Sequence, residues 1–322
     1  MMTSHPCGLP ADAHMSSTRR DVLSLSMPLL MSACARPSPG IEAPAASVRV
    51  GRLERLPPIA SRHVQDRPVD VWLPPGYDGR RAHAVLYMHD GQMLFDPAIT
   101  WNRKAWELDR MAGPLLAAGK LRDFIVVAPW NNGKLRFAEY FPQAWLAHLD
   151  PAWRQVLAER ALNGPPRSDA YLRFLVDELK PAIDARYATR SAREHCLLAG
   201  SSMGGLISLY ALCEYPQVFG GAACLSTHWI GGYERNDVVP EAAIRYLRDK
   251  LPPPGSLRLW MDRGDAELDA LYDRAQQRVD ALLAGKGFRP PRFTSRVFPG
   301  AGHTEWAWRD RLPQVLGFLL GA

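Results

Sequence analysis

Residues Gly200-Ser201-Ser202-Met203-Gly204-Gly205 hold a serine between glycines in the spacing G-x-S-x-G. That spacing suits a nucleophile on a sharp strand-to-helix turn, where small residues two before and two after it avoid clashes. The turn also sets the Ser202 hydroxyl at the positive end of a helix dipole. An apolar run, Cys196–Ala199, precedes the motif and a helical stretch, Leu206–Tyr215, follows it. Outside that setting the same residues would be only a Gly/Ser-rich turn that permits tight packing.

A serine hydroxyl needs a base, and position sorts the nine histidines. His5 and His14 lie near the start of the chain, His63 and His83 precede strands, and His148 lies in a long insert. His195 opens the strand that feeds Ser202, at the opposite sheet end. His303 ends the loop Pro299-Gly300-Ala301-Gly302-His303, directly after the last expected strand. It is therefore the candidate base, in the order Ser…acid…His. His228 is the rival base and more simply a pocket-wall residue, with Trp229 beside it.

The acid is expected after the penultimate strand, in Met261-Asp262-Arg263-Gly264-Asp265-Ala266-Glu267-Leu268-Asp269. Asp262 belongs to the strand end and can point into the sheet, and Asp265 can serve as a helix cap. Glu267 and Asp269 both lie where a carboxylate would reach the His303 ring, and both stay open. Two N–H donors are expected for a developing oxyanion. One is the amide of Met203; the other is that of Gly91 or Gln92, in the loop His89-Asp90-Gly91-Gln92-Met93.

These groups need a scaffold of alternating strands and helices, and the apolar pattern supplies one. Val69–Leu73 alternates and stops at Pro74-Pro75-Gly76, whereas Ala84–Met88 and Phe124–Ala128 are continuous apolar runs. Continuous runs read as strands covered on both faces. Further strands are expected at Cys196–Ala199, Gly221–Leu225, Leu257–Met261 and Phe293–Phe298. Helices are expected at Trp101–Ala118, Tyr171–Ile183, Leu206–Tyr215, Leu268–Leu283 and Arg311–Leu320. The alternation implies one α/β domain with a mostly parallel sheet and a site at the carboxyl ends of its strands. An aromatic-rich insert, residues 130–168, is either a substrate-binding lid or a local mini-core. Trp130, Asn132 and Arg136 are its candidate substrate contacts, with His228 and Trp229 outside it.

Composition agrees with a globular catalytic domain. The 322 residues are 47% hydrophobic and 22% charged, which excludes disordered, collagenous and coiled-coil classes. A formal charge of +6, with no long basic run, argues against a nucleic-acid partner. Cys196, Cys213 and Cys224 sit among apolar residues and read as buried free thiols, not a disulfide framework. No Cys/His spacing suggests a metal, and no cofactor is expected.

The N-terminus reads as an address. Arg19-Arg20 precedes an apolar run, Val22–Ala33, that is too short to span a bilayer, which needs about 20 residues. It closes on Leu30-Met31-Ser32-Ala33-Cys34, similar to a lipobox whose cysteine is lipidated. The expected organisation is an export signal over 1–33, a linker over 34–47 and a catalytic domain over 48–322. The protein is then periplasmic or membrane-anchored through Cys34.

Taken together, Leu73-Pro74-Pro75-Gly76-Tyr77, Leu86-Tyr87-Met88-His89-Asp90-Gly91-Gln92, Gly200–Gly205 and the Gly264/Asp269/His303 tail resemble the Putative esterase family of α/β-hydrolases. That family includes esterase D, enterochelin-esterase-like proteins, feruloyl and acetyl xylan esterases and antigen 85 mycolyltransferases. The resemblance covers roughly residues 50–320. It implies an α/β-hydrolase fold and a serine carboxylesterase acting on a small-molecule or glycan ester through an acyl-enzyme. Residue by residue it makes Ser202 the nucleophile, His303 the base, and Met203 with Gly91 or Gln92 the oxyanion hole. Many members place the acid three residues after the post-strand glycine, here Glu267. Others resemble G-T-x-x-L-D, which Gly264–Asp269 matches except at Asp265. The rival functions are an acyltransferase with the same triad and a binding lipoprotein on an inactive hydrolase fold.

Overall fold

A computed structural model describes residues 44–322. The export signal expected over 1–33, and Cys34, therefore fall outside the described residues. Ser47 already joins the folded domain, donating from its backbone N–H and its hydroxyl to Asp96 Oδ2 (3.0 and 2.6 Å).

Eight strands form one sheet: β1 (Arg52–Arg55), β2 (Val69–Leu73), β3 (Ala84–Met88), β4 (Phe124–Pro129), β5 (Cys196–Ser201), β6 (Gly221–Leu225), β7 (Arg258–Gly264) and β8 (Phe293–Phe298). Their order is β1-β2-β4-β3-β5-β6-β7-β8. The β1/β2 and β2/β4 pairs are antiparallel, and every other pair is parallel. Along β3 the side chains alternate between two cores. Val85 and Tyr87 face one, and Ala84, Leu86 and Met88 face the other. Both faces are buried, which is why the strand reads as an unbroken apolar run.

The helices are α1 (Leu108–Ala117), α2 (Arg136–Tyr140), α3 (Pro151–Arg160), α4 (Ser168–Arg173), α5 (Lys180–Arg186), α6 (Met203–Glu214), α7 (Val238–Lys250), α8 (Asp273–Gly285) and α9 (Glu305–Leu320). A π-helical segment, Phe174–Leu179, lies between α4 and α5. Every residue of α6 from Met203 to Cys213 is buried. Such a helix shows no polar face in its sequence, because the sheet and its neighbours enclose it.

Three of the expected helices differ most in how they begin. The helix expected from Trp101 begins only at Leu108. The preceding backbone is used elsewhere, with Trp106 N donating to Met93 O and Leu108 N to Leu94 O (both 3.0 Å). The helix expected from Leu268 starts as a 3-10 turn, Glu267–Leu271, because Asp269 is drawn back towards Gly264. The last helix starts six residues earlier than expected, at Glu305, where the Thr304 hydroxyl accepts from Ala307 N. Strand β1 and helices α2, α3 and α7 are additions to the expected set. Cys196, Cys213 and Cys224 are buried free thiols.

β3 lies between β4 and β5, so its connection to β4 runs one way along the sheet while that from β5 to β6 runs the other. That reversal opens a crevice at the carboxyl ends of β3 and β5. The loop after β3 and the turn after β5 emerge there side by side, joined by His89 N donating to Ala199 O (3.0 Å).

Candidate active site

Ser202 occupies the turn between β5 and α6 with φ 58° and ψ −123°. Non-glycine residues rarely adopt positive φ, so the surroundings must hold it. Ser202 N donates to Leu225 O (2.9 Å), and Gly205 N donates to Ser202 O (3.0 Å). A Cβ on Gly200 would lie 2.7 Å from the Gly204 carbonyl carbon and oxygen, so the turn closes only without that side chain. Met203 opens α6, and its amide is one of the first-turn N–H groups that a helix leaves without an internal partner.

His303 follows β8 and lines the same cleft as Ser202. Its Nδ1 lies 2.6 Å from Asp269 Oδ1. The Asp269 carboxylate is fully buried and held from its other side, where Oδ2 accepts from the Ser226 hydroxyl and from Gly264 N (both 2.6 Å). Trp308 Nε1 in turn donates to Ser226 Oγ (2.9 Å). Burial works to raise the Asp269 pKa. The bond to His303, its charge, and the Ser226 and Gly264 donors outweigh that and hold it below the usual carboxylate value. An ionised carboxylate only accepts, so His303 Nδ1 carries the proton and Nε2 is the ring's basic nitrogen.

The other carboxylates of this stretch point elsewhere. Glu267 Oε2 accepts from the His303 backbone N–H (3.1 Å), not from the ring. Asp265 Oδ1 accepts from Gly300 N (2.6 Å), tying down the loop instead of capping a helix. Asp262 is buried between Trp260 Nε1 (2.7 Å) and Arg311 Nη1 (2.5 Å). Burial, partly offset by Arg311, pushes it up to about 6.

The loop after β3 is clamped by the insert. Asp90 has φ 61°, and its carboxylate takes two 2.7 Å bonds from Arg136 Nε and Nη2 and one from Asn131 Nδ2 (2.7 Å). A fork-on-fork pair of this kind fixes orientation as well as distance. Burial tends to raise Asp90, but the Arg136 charge and hydrogen bonds hold it low. Met93 N bonds back to Asp90 O (2.8 Å), and a 3-10 turn of this kind leaves the Gly91 and Gln92 amides outside its own ladder. Gly91 cannot carry a side chain, because its Cβ would lie 2.2 Å from Ala128 O.

Ser202, His303, Gln92, Arg136 and His228 all border one cleft of about 650 Å³. Three expected contacts do not border it. Trp130 Nε1 donates to Asp70 (2.7 Å), and its ring lies under Arg55 (4.7 Å). Asn132 donates to Gln65 on the surface (2.8 Å). Trp229 is fully buried, stacked at 6.3 Å on Trp145, with Nε1 donating to Gln276 (2.8 Å). Trp229 belongs to the core and Trp130 is half-buried beside Arg55, because aromatic content does not say which way a side chain faces. From the insert, Tyr140, Phe141 and Trp145 are buried in the main core, while Phe137 borders the cleft. Sequence reasoning missed Trp101 and Tyr233, 85% and 70% exposed, which form part of the cleft rim. Trp101 falls within an expected helix, and no spacing marks Tyr233.

Residues 61–319 match the family model described as Putative esterase. A Bacillus subtilis (strain 168) protein called YbbA, itself uncharacterized, is 24% identical over 263 residues, covering 80% of this chain and 93% of that one. The iron(III) enterobactin esterase of Dickeya dadantii is 25% identical over 203 residues, 59% of this chain and 45% of that protein. A solved ferulic acid esterase superposes with a TM-score of 0.61 at 20% identity, covering 84% of this chain and 99% of its own. At that identity the likeness shows a shared fold.

Proposed function

The chain belongs to the Putative esterase family and is a carboxylic ester hydrolase, and from that premise we propose that it works through Ser202, His303 and Asp269 by way of an acyl-enzyme. The observation that carries this reading is the 2.6 Å contact from His303 Nδ1 to a buried Asp269, in the cleft that also holds the strained Ser202.

In this mechanism His303 Nε2 takes the Ser202 proton as Oγ attacks the ester carbonyl. Asp269 stabilises the imidazolium that results. The Met203 amide and that of Gly91 or Gln92 receive the negative oxygen, with Gln92 favoured because it borders the cleft. The tetrahedral intermediate collapses, the C–O bond breaks, and the imidazolium returns its proton to the departing alkoxide. Water, deprotonated by His303, then attacks the acyl-serine and releases the acid. Arg136 and Asn131 act through Asp90, fixing the loop that carries the second donor.

Water as the acyl acceptor is tested by hydrolysis of 4-nitrophenyl acetate with and without an added alcohol. Free acetate should match 4-nitrophenol mole for mole in its absence. Turnover only when a sugar or lipid alcohol is present would assign the chain to acyl transfer instead.

A further inference from the structure

The acid of the proposed triad is braced by a residue that lies outside the cleft. Ser226 directly follows β6, is fully buried and sits at φ 44°. A glycine would take that backbone without strain, so a serine there must be offset by what its hydroxyl does. Its backbone N–H donates to Asp262 O (2.8 Å), which ties the strained turn to β7. Its hydroxyl lies between Trp308 Nε1 (2.9 Å) and Asp269 Oδ2 (2.6 Å). An indole N–H only donates and an ionised carboxylate only accepts. Ser226 Oγ must therefore accept from Trp308 and send its single proton to Asp269. The same Trp308 indole meets the His303 ring edge-on at 5.0 Å and stacks on Trp106 at 5.5 Å. One side chain thus braces the acid through Ser226 and the base directly.

We infer that Ser226 is a positioning residue of the catalytic machinery, its proton steered by Trp308 so that Asp269 holds Oδ1 towards the His303 ring. This rests on the reading of Ser202, His303 and Asp269 as the triad. With Oδ2 bound by Ser226 and Gly264 N, the carboxylate cannot turn, and Oδ1 alone is left for Nδ1. The Ser226 donor is also one of the groups that hold Asp269 below the usual carboxylate value. A donor draws off part of the negative charge, leaving less of it to stabilise an imidazolium. Removing the hydroxyl therefore does two things. It loosens the acid, which slows the reaction, and it leaves the carboxylate more basic, which favours the protonated ring. A part in packing alone would do the first without the second. The other groups around the pair stay in place. Arg311 Nη2 lies 3.9 Å from Asp269 Oδ2, and its Nη1 pairs with Asp262 (2.5 Å). Tyr272 meets the His303 ring edge-on at 5.8 Å, Glu267 accepts from the His303 backbone N–H, and His228 and Arg136 border the same cleft.

The test is the pH profile of kcat/KM for 4-nitrophenyl acetate, whose acid-limb midpoint reports the base of the free enzyme. Ser226→Gly removes the hydroxyl and suits the positive φ, so the turn keeps its shape. It should lower kcat about tenfold and raise the midpoint by about 0.7 unit, the shift that one ordinary hydrogen bond makes. Trp308→Phe keeps a ring and loses the N–H. It should raise the midpoint by less, about 0.3 unit, and by nothing further beside Ser226→Gly. A midpoint does not depend on how much of a preparation is folded, so a partly folded variant still reports. An unchanged kcat, or a midpoint unmoved or lowered, in Ser226→Gly overturns the inference. A Trp308→Phe shift that is absent, or that persists beside Ser226→Gly, overturns it as well. Failure of the triad reading shows separately, as a wild-type Ser202 that a fluorophosphonate leaves unlabelled.

Discussion

Ser202→Ala lowers kcat/KM for 4-nitrophenyl acetate by about 10⁶-fold, equivalent to ~8 kcal/mol of transition-state stabilisation. The size follows from the covalent route: without Oγ no acyl-enzyme forms. His303 and the oxyanion donors are then left to assist only direct attack by water. The fold should survive, since the hydroxyl makes none of the backbone bonds that hold the turn; those run from Ser202 N to Leu225 O and from Gly205 N to Ser202 O. Thermal stability should change by no more than about 1 kcal/mol, the usual worth of one side-chain hydrogen bond. Initial rates and a melting curve on one preparation check both halves. Activity within about tenfold of wild type would remove Ser202 from the chemistry.

Asp269→Asn should cost about 10⁴-fold in kcat. The reason lies in the carboxylate's three partners. Oδ2 accepts from both Gly264 N and Ser226, which requires an oxygen at that corner. An asparagine that keeps its oxygen there must turn its NH₂ towards His303 Nδ1. That makes Nδ1 an acceptor and moves the ring proton to Nε2, the nitrogen that must take the serine's proton. Glu267→Gln keeps an acceptor for the His303 backbone N–H and should lose less than about tenfold. Steady-state rates on the two purified variants decide between them. The reverse pattern would make Glu267 the acid.

Much of this arrangement is legible in the sequence, for reasons that differ by element. Strands β3 to β6 declare themselves because burial on both faces leaves no polar alternation. The turn at Ser202 declares itself because a Cβ on Gly200 would collide with the Gly204 backbone, 2.7 Å away. Choosing among four carboxylates in eight positions is another matter. What separates Asp269 from Glu267 is contact with Gly264 and Ser226, and Ser226 lies 43 residues away in sequence. The helix expected from Trp101 fails in the same way, because distant carbonyls claim its backbone donors. The rings at Trp130 and Trp229 read as cleft residues, yet their indole nitrogens are satisfied by Asp70 and Gln276. Local pattern records which residues are apolar and where turns must fall, but not which face a side chain meets across the fold.

The central claim, that Ser202 is the nucleophile which carries the acyl group, is tested most directly by covalent capture. A fluorophosphonate phosphorylates an activated serine and loses fluoride, leaving a stable adduct that mass spectrometry can assign to one residue. The expected result is a single adduct per chain on the peptide containing Ser202, with activity lost in step with labelling. No adduct, or an adduct on another serine that accompanies the loss of activity, would contradict it.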